Sequence, residues 1–348
     1  MLCGLVMAGG KGERFWPMST EEKPKQFLNL IGKESMIQLT VSRLERIIPL
    51  ERIFIVTAKE YKDLIKEHIP NLPERNIIVE PVGKNTAPCI ALSAFYIRER
   101  YENATMVILP SDHLILEEEN FINAIETAES FINKNEAAIA TIGIKPIRPE
   151  IGYGYIEIGD VEDTINRVNV RKVNSFKEKP YLSLAEEYFK SEKYFWNSGM
   201  FIWKASTIIE LTKRFLPDIH EIISSINFYN EKDIEEKYSR IKGISVDYGI
   251  MEKVEDIYVI QGEFQWDDLG SWNSLSRYKD TDENNNIIDG SIAIINSMNN
   301  IIKTDKKTYV MGVENLVIIE TSNEIMIVNR DDLSKIKELK NYEIKNSY

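Results

Sequence analysis

Hydrophobic and polar positions alternate regularly from residue 2 to about residue 142. Short apolar runs in this part predict buried strands, and they read "LCGLVM", "RIFIVT", "NIIVE", "TMVILP" and "AAIATIG". Between the runs, apolar residues recur at helical spacing, as at Ile37, Val41, Leu44 and Ile48. Because strands alternate with helices, the pattern predicts an α/β fold with a mostly parallel sheet that helices cover on both faces.

The pattern changes twice further along the chain. From residue 150 to about 275, the strand-like segments "YGYIEIG", "VNSFKEKP" and "GMFIWKAS" are interleaved with helical patterns near 181–191, 205–216 and 246–254. Past residue 280, asparagines cluster, and short strands follow one another until an amphipathic stretch around 331–341. We therefore expect a large domain over residues 1–280 and a small all-β domain over residues 281–348 that ends in a helix.

A short recurrence supports the all-β interpretation of the C-terminal part. "NNII" occurs at residues 285–288 and again at residues 299–302, which is a spacing of 14 residues. A fixed period of this kind is typical of stacked β turns, although two copies are a short series.

Composition narrows the kind of partner. The chain has 348 residues, with 55 acidic against 43 basic side chains and a formal charge of −12, which argues against a nucleic-acid surface. An anionic substrate would therefore need a local basic pocket. The two cysteines and three histidines are too few and too scattered for a zinc site or a disulfide framework. We find no apolar window of the ~18 residues that a membrane span needs and no secretory signal, so we expect a cytoplasmic protein with no membrane partner.

The loop "MAGGKGERFWPMSTEEKPKQF" at residues 7–27 is the first candidate for chemistry. It is not a dinucleotide-binding turn, because Phe15 stands where the third glycine of G-x-G-x-x-G belongs, and it contains no P-loop. Its glycines allow backbone N–H groups to approach an anion, and the charges of Arg14 and Lys25 suit a polyphosphate. The alternative from the residues alone is a surface loop with solvated charges.

Acidic side chains follow two apolar segments and could hold magnesium. Asp112 comes directly after "MVILPS", and Asp267 and Asp268 lie in "QWDDLGSW". Each also has a structural interpretation, since Asp112 could cap a turn and the aspartate pair could cap a helix.

Three further segments carry polar groups. "FKEKP" places Glu178 and Lys179 at a strand end, "WNSGMF" contains Asn197, and "GYGYI" contains Gly154, which would let a sugar lie against the backbone. The structural alternatives are a solvated charge pair, a turn and a bulged strand. "EPVGKNTAPCIAL" contains a capped helix start at Thr86, with an early proline at position 88.

Two of these segments resemble a known family. G-G-x-G-x-R-F-x-P followed by P-K resembles the signature of the sugar-1-phosphate nucleotidylyltransferases. "EPVGKNTAP" resembles the segment typical of the mannose-1-phosphate guanylyltransferase group within it, and further matches run in order from Leu2 to about Tyr278 and into "VMGVENLVIIET" and "IMIVNRDD". The resemblance implies a Rossmann-like, GT-A type nucleotidyltransferase domain with a small, left-handed β-helix-like C-terminal appendage.

The resemblance also implies roles for individual residues. It implies catalytic roles for Arg14 and Lys25, and Mg²⁺ held by Asp112 and Asp268, with Asp267 as the exposed neighbour. The implied nucleotide-binding residues are Ala8, Gly9, Gly10, Gly12, Glu80, Pro81, Gly83, Asn85, Thr86 and Asp112. The implied sugar-phosphate-binding residues are Tyr153, Gly154, Glu178, Lys179, Asn197 and Ser198. We interpret His113 as a structural neighbour of this site.

The activity implied by the resemblance is transfer of GMP from GTP to α-D-mannose 1-phosphate, giving GDP-mannose and pyrophosphate. A homodimer is implied as well. Two alternatives stay open at this stage. One is another hexose-1-phosphate nucleotidylyltransferase, and the other is a catalytically silent protein that binds a sugar nucleotide and regulates a partner.

Overall fold

The computed structural model describes residues 1–10 and 12–346, so Lys11 of the first loop lies outside the described residues. The chain divides into two compact units that are interleaved along the sequence. The first unit comprises Met1–Gly9, Thr40–Ser111 and Ile115–Trp266, and the second comprises Gly10–Leu39, Asp112–Leu114 and the chain from Asp267 onward. The predicted domain division at residue 280 stays a prediction.

The strands and helices follow the order that the sequence pattern predicts. The strands are β1 (Leu2–Met7), β2 (Ile53–Ala58), β3 (Ile77–Glu80), β4 (Thr105–Pro110), β5 (Leu114–Ile115), β6 (Ile139–Ile144), β7 (Tyr155–Ile165), β8 (Val168–Lys177), β9 (Tyr194–Lys204), β10 (Ile257–Gly262), β11 (Trp266–Asp267), β12 (Ile287–Ile295), β13 (Ile301–Met311), β14 (Leu316–Glu320) and β15 (Ile325–Asn329). The α-helices are α1 (Met36–Glu45), α2 (Lys62–His68), α3 (Thr86–Arg98), α4 (Glu118–Lys134), α5 (Leu182–Ser191), α6 (Ala205–Phe215), α7 (Pro217–Ser224), α8 (Glu231–Tyr238), α9 (Val246–Gly249), α10 (Trp272–Leu275) and α11 (Ile336–Asn346).

A nine-stranded sheet organises the first unit, with the strand order β3-β2-β1-β4-β9-β6-β10-β8-β7. β1 runs parallel to β2 and to β4, and β10 runs parallel to β6. The α/β prediction is confirmed. The sheet is mixed, because β9 runs antiparallel to both of its neighbours and the pair β7 and β8 forms an antiparallel ladder.

Three parallel strands deliver their C-terminal ends to the same edge of this sheet. β1 ends at Met7, β3 ends at Glu80 and β4 ends at Pro110. Ligands of α/β sheets bind beyond this edge, where the loops leave the strands. A Cβ built on Gly9 would lie 3.6 Å from Glu80 Oε2, so the loop after β1 reaches the carboxylate at the end of β3.

Helix α3 anchors the loop that precedes it. The Asn85 side chain caps the helix by accepting a hydrogen bond from the Thr86 N–H at 2.8 Å. Most of the helix is buried, from Ala87 through Ile97, and belongs to the main hydrophobic core of the first unit. Because a helix that is apolar all round must be covered on every side, α3 fixes the segment around Asn85 in the core.

The second unit contains a four-stranded sheet with the order β12-β13-β14-β15. β12 pairs with β13 in parallel, with Ile287 opposite Ile301, which is the 14-residue spacing of the "NNII" recurrence. Asn300 Nδ2 donates to Asn286 Oδ1 at 2.9 Å, so equivalent asparagines of successive copies stack on one another. The stacked-turn interpretation is therefore confirmed.

The main differences from the predicted elements lie in short helices. α7 and α8 were not predicted, and α8 occupies a stretch rich in charged residues, where the apolar periodicity is weak. The helix expected near 246–254 is α9 followed by a turn of 3-10 helix at Met251–Lys253. The amphipathic stretch around 331–341 forms a 3-10 helix at Arg330–Lys335 before α11 begins. None of the described helices has the length and apolar character needed to cross a membrane.

Gly290 offers a test of the stacked strands. Its φ is +131°, and a Cβ there would lie 2.0 Å from the Thr304 carbonyl oxygen on the neighbouring strand. We expect Gly290→Ala to lower the free energy of unfolding by ~2 kcal/mol or more, because the strands must separate to admit the methyl group. Thermal or urea unfolding measures the change.

Gly312→Ala is the matched control. Gly312 also has a positive φ, of +68°, but a Cβ there would meet no atom within 4 Å. We expect it to cost only the ~1 kcal/mol of a left-handed alanine. Equal losses for the two variants would contradict a steric role for Gly290.

Candidate active site

A cavity of about 330 Å³ lies within the second unit. Its lining residues come from the first loop, the turn after β4, the turn after β11 and helix α11: Gly12, Arg14, Lys25, Asp112, His113, Asp268, Leu269, Gly270 and Lys337. The cavity brings together both predicted catalytic residues and both predicted metal ligands. These segments are far apart in the sequence, so the local spacing of apolar residues does not predict that they line one cavity.

Lys25 joins the segments of this cavity. It begins a 3-10 helix, Lys25–Phe27, directly after Pro24, and the residue is only 5% exposed. Its ammonium Nζ donates to Asp112 Oδ2 at 2.8 Å and to the main-chain carbonyl of Asp268. Gly12 has a φ of +56°, and a Cβ there would lie 2.5 Å from Lys25 Cβ, so a glycine is required for the first loop to close over this lysine.

Asp112 is held in its charged form. Burial would raise the pKa of this carboxyl group, but the charges of Lys25 and His113 and the hydrogen bond from Lys25 outweigh burial, and the net pKa is lowered. The pKa of His113 is lowered, chiefly by burial, with the charge of Asp112 opposing that effect. At neutral pH the cavity therefore contains an ionised carboxylate beside a largely neutral imidazole.

The adjacent aspartates at 267 and 268 have different surroundings, which corrects one expectation. The resemblance implies that Asp267 is the exposed neighbour, but it is 0% exposed. Its Oδ2 accepts hydrogen bonds from Arg277 at 2.6 Å and from the Tyr278 hydroxyl at 3.1 Å, and its Oδ1 accepts from the Leu269 N–H at 2.8 Å. Asp267 thus secures the turn, because Leu269 is in the left-handed region with a φ of +44°.

The turn that Asp267 secures opens the cavity in front of Asp268. A Cβ on Gly270 would lie 3.1 Å from Asp268 Oδ1 and 3.3 Å from Arg14 Nη1. The lack of a side chain at Gly270 therefore leaves room beside a carboxylate and a guanidinium.

Trp272 anchors the first loop. Its ring packs edge-on against Phe15 with 5.1 Å between the ring centroids, and its Nε1 donates to the Trp16 carbonyl at 3.2 Å.

The donor set of this cavity fits a divalent cation of the magnesium type. Within residues 1–10 and 12–346, no three His, Cys, Asp or Glu side chains converge on one point. The cavity instead offers the carboxylates of Asp112 and Asp268, and magnesium sites commonly have one or two carboxylates completed by phosphate oxygens and water. The space left open by Gly270 lies next to one of the two carboxylates.

Seven of the predicted nucleotide-binding residues lie in the first unit. Ala8 is buried and fixed by β2, since its N–H donates to the Val56 carbonyl at 2.8 Å, whereas Gly9 is exposed. Glu80 is 5% exposed, and burial raises the pKa of its carboxyl group. The loop that follows, with Pro81, Gly83, Asn85 and Thr86, runs from partly to fully exposed before it enters α3. Gly10 belongs to the second unit, where its carbonyl accepts from Gln26 Nε2 at 3.0 Å.

The predicted sugar-binding residues form a second cluster in the first unit. A Cβ on Gly154 would lie 2.9 Å from Glu178 Oε1 and 3.5 Å from Asn197 Cβ, so these three residues meet. Lys179 Nζ lies 3.1 Å from Glu178 Oε2 and is exposed. Asn197 Nδ2 donates to Asp247 Oδ1 at 3.0 Å.

Two members of the predicted set are buried beside this cluster. The Tyr153 ring packs against Trp196 at 5.2 Å and against Trp266 at 4.9 Å. Ser198 Oγ donates to the Ile142 carbonyl at 2.6 Å. Ring packing and a main-chain hydrogen bond therefore already engage these two side chains.

Sequence reasoning missed three residues at these sites. Asp247 joins the sugar cluster, and the pKa of its carboxyl group is raised by burial and by the charge of Glu178. Tyr238 donates to Glu80, and Lys337 of α11 lines the cavity. "SVDYG" contained a usable signal, since Ser245 caps α9 two residues before Asp247. The other two have no local motif, because each reaches its site through tertiary packing.

Comparison with known proteins identifies the class. The nucleotidyl transferase family model matches residues 3–285, and the model of the mannoseP isomerase/GMP-like beta-helix domain matches residues 290–341. The first match spans most of the chain. The chain therefore belongs to the nucleotidyl transferase family and is an enzyme of that class.

Individual relatives narrow the resemblance. Mannose-1-phosphate guanylyltransferase of Klebsiella pneumoniae is 38% identical over 97% of this chain and 73% of that protein, and its Escherichia coli namesake is 37% identical with the same coverage. The crystal structure of a Thermus thermophilus protein named mannose-1-phosphate geranyltransferase superposes with a TM-score of 0.87 at 30% identity, covering 98% of each chain. These matches confirm the resemblance to the mannose-1-phosphate guanylyltransferases and the predicted fold class.

The two adjacent aspartates allow a direct test of their separate roles. We expect Asp267→Ala to lower the free energy of unfolding by ~3 kcal/mol, because it removes the buried partner of Arg277; the value is at the low end for buried pairs since Arg277 remains 35% exposed. We expect Asp268→Ala to change it by less than ~1 kcal/mol. Urea unfolding of both variants measures the difference, and equal losses would show that the pair shares one structural role.

Proposed function

We propose that this protein transfers GMP from GTP to α-D-mannose 1-phosphate. A phosphate oxygen of mannose 1-phosphate attacks the α-phosphorus of GTP and forms the new P–O bond. The bond from the α-phosphorus to the α,β-bridging oxygen breaks, and pyrophosphate leaves with that electron pair. The products are GDP-mannose and pyrophosphate. The nucleophile is already anionic at neutral pH, so no general base is required.

The observation that carries this proposal is the convergence of Lys25, Asp112 and Asp268 on one cavity that Arg14 also lines. The barrier to the reaction comes from bringing two anions together and from charge that develops on the transferred phosphoryl group. Fixed positive groups in a restricted site lower that barrier by positioning and electrostatic stabilisation. The cavity supplies such groups in a chain whose net charge is −12.

Within this proposal each residue of the cavity has its own role. Arg14 neutralises the departing pyrophosphate, and Lys25 stabilises the α-phosphoryl region. Asp112 and Asp268 are the residues that would hold Mg²⁺, whose chemistry when bound is to neutralise phosphate oxygens. Gly10 and Gly12 allow backbone N–H groups to approach the phosphates. The lowered pKa of Asp112 supports this role, because the carboxylate is ionised at neutral pH.

The substrates are distinguished by residues of the first unit. We assign guanine recognition to Glu80 and Pro81 with the loop that contains Gly83, Asn85 and Thr86, next to Ala8 and Gly9 of the loop after β1. Glu178, Asn197 and Ser198, with Tyr153 and Gly154, bind the sugar, and Lys179 binds the sugar phosphate. The hydrogen bond from Asn197 to Asp247 supports adding that carboxylate to the hydroxyl-binding groups. A homodimer and a cytoplasmic location are part of the same proposal.

One assay tests the reaction and the choice of substrates. Purified protein with magnesium is given each of the four nucleoside triphosphates together with a panel of hexose 1-phosphates, and pyrophosphate release is followed. We expect the highest kcat/KM for GTP with mannose 1-phosphate. A preference for another sugar would make the protein a different hexose-1-phosphate nucleotidylyltransferase. Sugar-nucleotide binding without turnover would indicate the silent regulator.

Two substitutions test the assigned roles in the cavity. We expect Lys25→Ala and Asp268→Ala each to lower kcat roughly a hundredfold or more, because each removes a group that stabilises charge in the transition state, worth ~2.7–4 kcal/mol. Steady-state pyrophosphate release, with thermal unfolding to verify folding, measures the effect. Lys335→Ala is the control, since Lys335 is exposed and pairs with Asp332. Turnover close to wild type in the first two variants would remove both assignments.

A further inference from the structure

The carboxylate of Glu80 is bound asymmetrically. The Tyr238 hydroxyl donates to Oε1 at 2.7 Å, and the Lys84 N–H donates to the same oxygen at 3.0 Å. Within the described part of the chain, these are the two hydrogen bonds to the group. The other oxygen, Oε2, faces Gly9, and a Cβ built on Gly9 would lie 3.6 Å from this oxygen. Because residue 9 is a glycine, it has no side chain that covers Oε2. One oxygen is therefore used by the protein, and the other is directed toward the loop after β1.

The Tyr238 hydroxyl donates a hydrogen bond and stays protonated. Tyr238 is the last residue of α8 and is fully buried. Burial raises the pKa of its hydroxyl strongly, and the neighbouring charge of Glu80 raises it further, so the group keeps its proton. A buried hydroxyl needs a partner, and Glu80 is the partner that the structure gives it. Tyr238 thus fixes the rotation of the carboxylate without neutralising its charge.

The chain after Tyr238 supports the same loop from behind. Lys84 Nζ donates to the Ser239 carbonyl at 2.8 Å, and the Ile244 N–H donates to the Lys84 carbonyl at 3.2 Å. The Val246 N–H donates to Thr86 Oγ1 at 2.8 Å. These bonds tie the loop after β3 and the start of α3 to the segment that runs from the end of α8 to the start of α9. Glu80 is therefore held by β3, which ends at this residue, and by the anchored loop that follows it.

We propose that Tyr238 is the positioning residue for base selection: it locks Glu80 so that Oε2 is presented as a fixed acceptor to the donor edge of guanine. The inference rests on the proposed function, and Tyr238 itself touches no substrate in it. A carboxylate only accepts hydrogen bonds, and the guanine edge offers donors at N1 and at the 2-amino group. Adenine offers an acceptor at N1, so a fixed carboxylate would meet a lone pair and remain unsatisfied.

The test is Tyr238→Phe, which removes one oxygen and keeps the ring that fills the core. Pyrophosphate release with mannose 1-phosphate and magnesium is measured for GTP, ATP and inosine triphosphate, which lacks the 2-amino group. We expect kcat/KM for GTP to fall about tenfold, mainly through KM, since the hydrogen bond that orients a charged acceptor is lost. We expect the GTP-to-ATP and GTP-to-inosine-triphosphate ratios to shrink with it. Tyr229→Phe is the matched control, because Tyr229 lies just before α8 and is 84% exposed.

A second variant separates positioning from general loosening of the structure. Glu80→Gln replaces Oε2 by a donor or turns the acceptor away, so we expect at least as large a loss of the GTP-to-ATP ratio. In the Glu80→Gln background, Tyr238→Phe should change that ratio no further, because both residues act through one carboxylate. A purely structural tyrosine would give additive losses and unchanged base ratios. The cycle remains informative if Tyr238→Phe lowers the melting temperature.

The outcomes distinguish this inference from the proposed function. If the wild type prefers GTP and Tyr238→Phe keeps both base ratios within about twofold, the positioning role is overturned and the proposed reaction stands. If the wild type prefers ATP or UTP, both the guanine assignment and the positioning role are overturned. Selective loss of the base ratios with the sugar preference unchanged supports both.

Discussion

The ammonium group of Lys25 is the contact on which the candidate active site depends. It bonds to the Asp112 carboxylate and to the Asp268 carbonyl, so it ties together three parts of the chain that are remote in sequence. Two carboxylates in one cavity repel each other, and burial alone would raise the pKa of Asp112. Lys25 reverses that balance for Asp112, whose pKa is lowered despite its burial. Buried Lys25 thus keeps Asp112 ionised in the cavity that we propose binds anionic substrates.

The adjacent residues Asp267 and Asp268 have different roles because their surroundings differ. Asp267 gives its carboxylate oxygens to Arg277, Tyr278 and the turn, so its charge serves the support of the cavity wall. Asp268 lines the cavity because the turn is fixed, and Gly270 leaves open the space beside the Asp268 carboxylate. A site of this kind needs a rigid support for each group that meets the ligand. Here the support is the residue directly before it in the chain.

Much of the fold follows from sequence because its signals are local. The apolar runs from "LCGLVM" to "AAIATIG" form strands, and the 14-residue recurrence forms the β12–β13 register, since both depend on short-range periodicity. The charged helix α8 escapes prediction, because its apolar face is reduced to a few positions and ends in one buried tyrosine. The predicted site residues Arg14, Lys25, Asp112 and Asp268 each belong to a motif, and the structure brings them to one cavity. The burial of Asp267 and the roles of Tyr238 and Lys337 are missed, because tertiary contacts alone determine where these side chains lie.

The carboxylates of Asp112, which is partly buried, and of Glu80, which is buried, are stabilised in opposite ways, and the difference matches what each is proposed to bind. Asp112 has a cationic partner, so its own charge is compensated and the group is held ready to share a cation. Glu80 has neutral donors, a hydroxyl and an N–H, so its charge is not cancelled, and burial raises its pKa. A salt bridge at Glu80 would satisfy the carboxylate within the protein and weaken its demand for a donor from the ligand. Neutral support leaves that demand in place, which is how a buried acid can select a base by the hydrogens it offers.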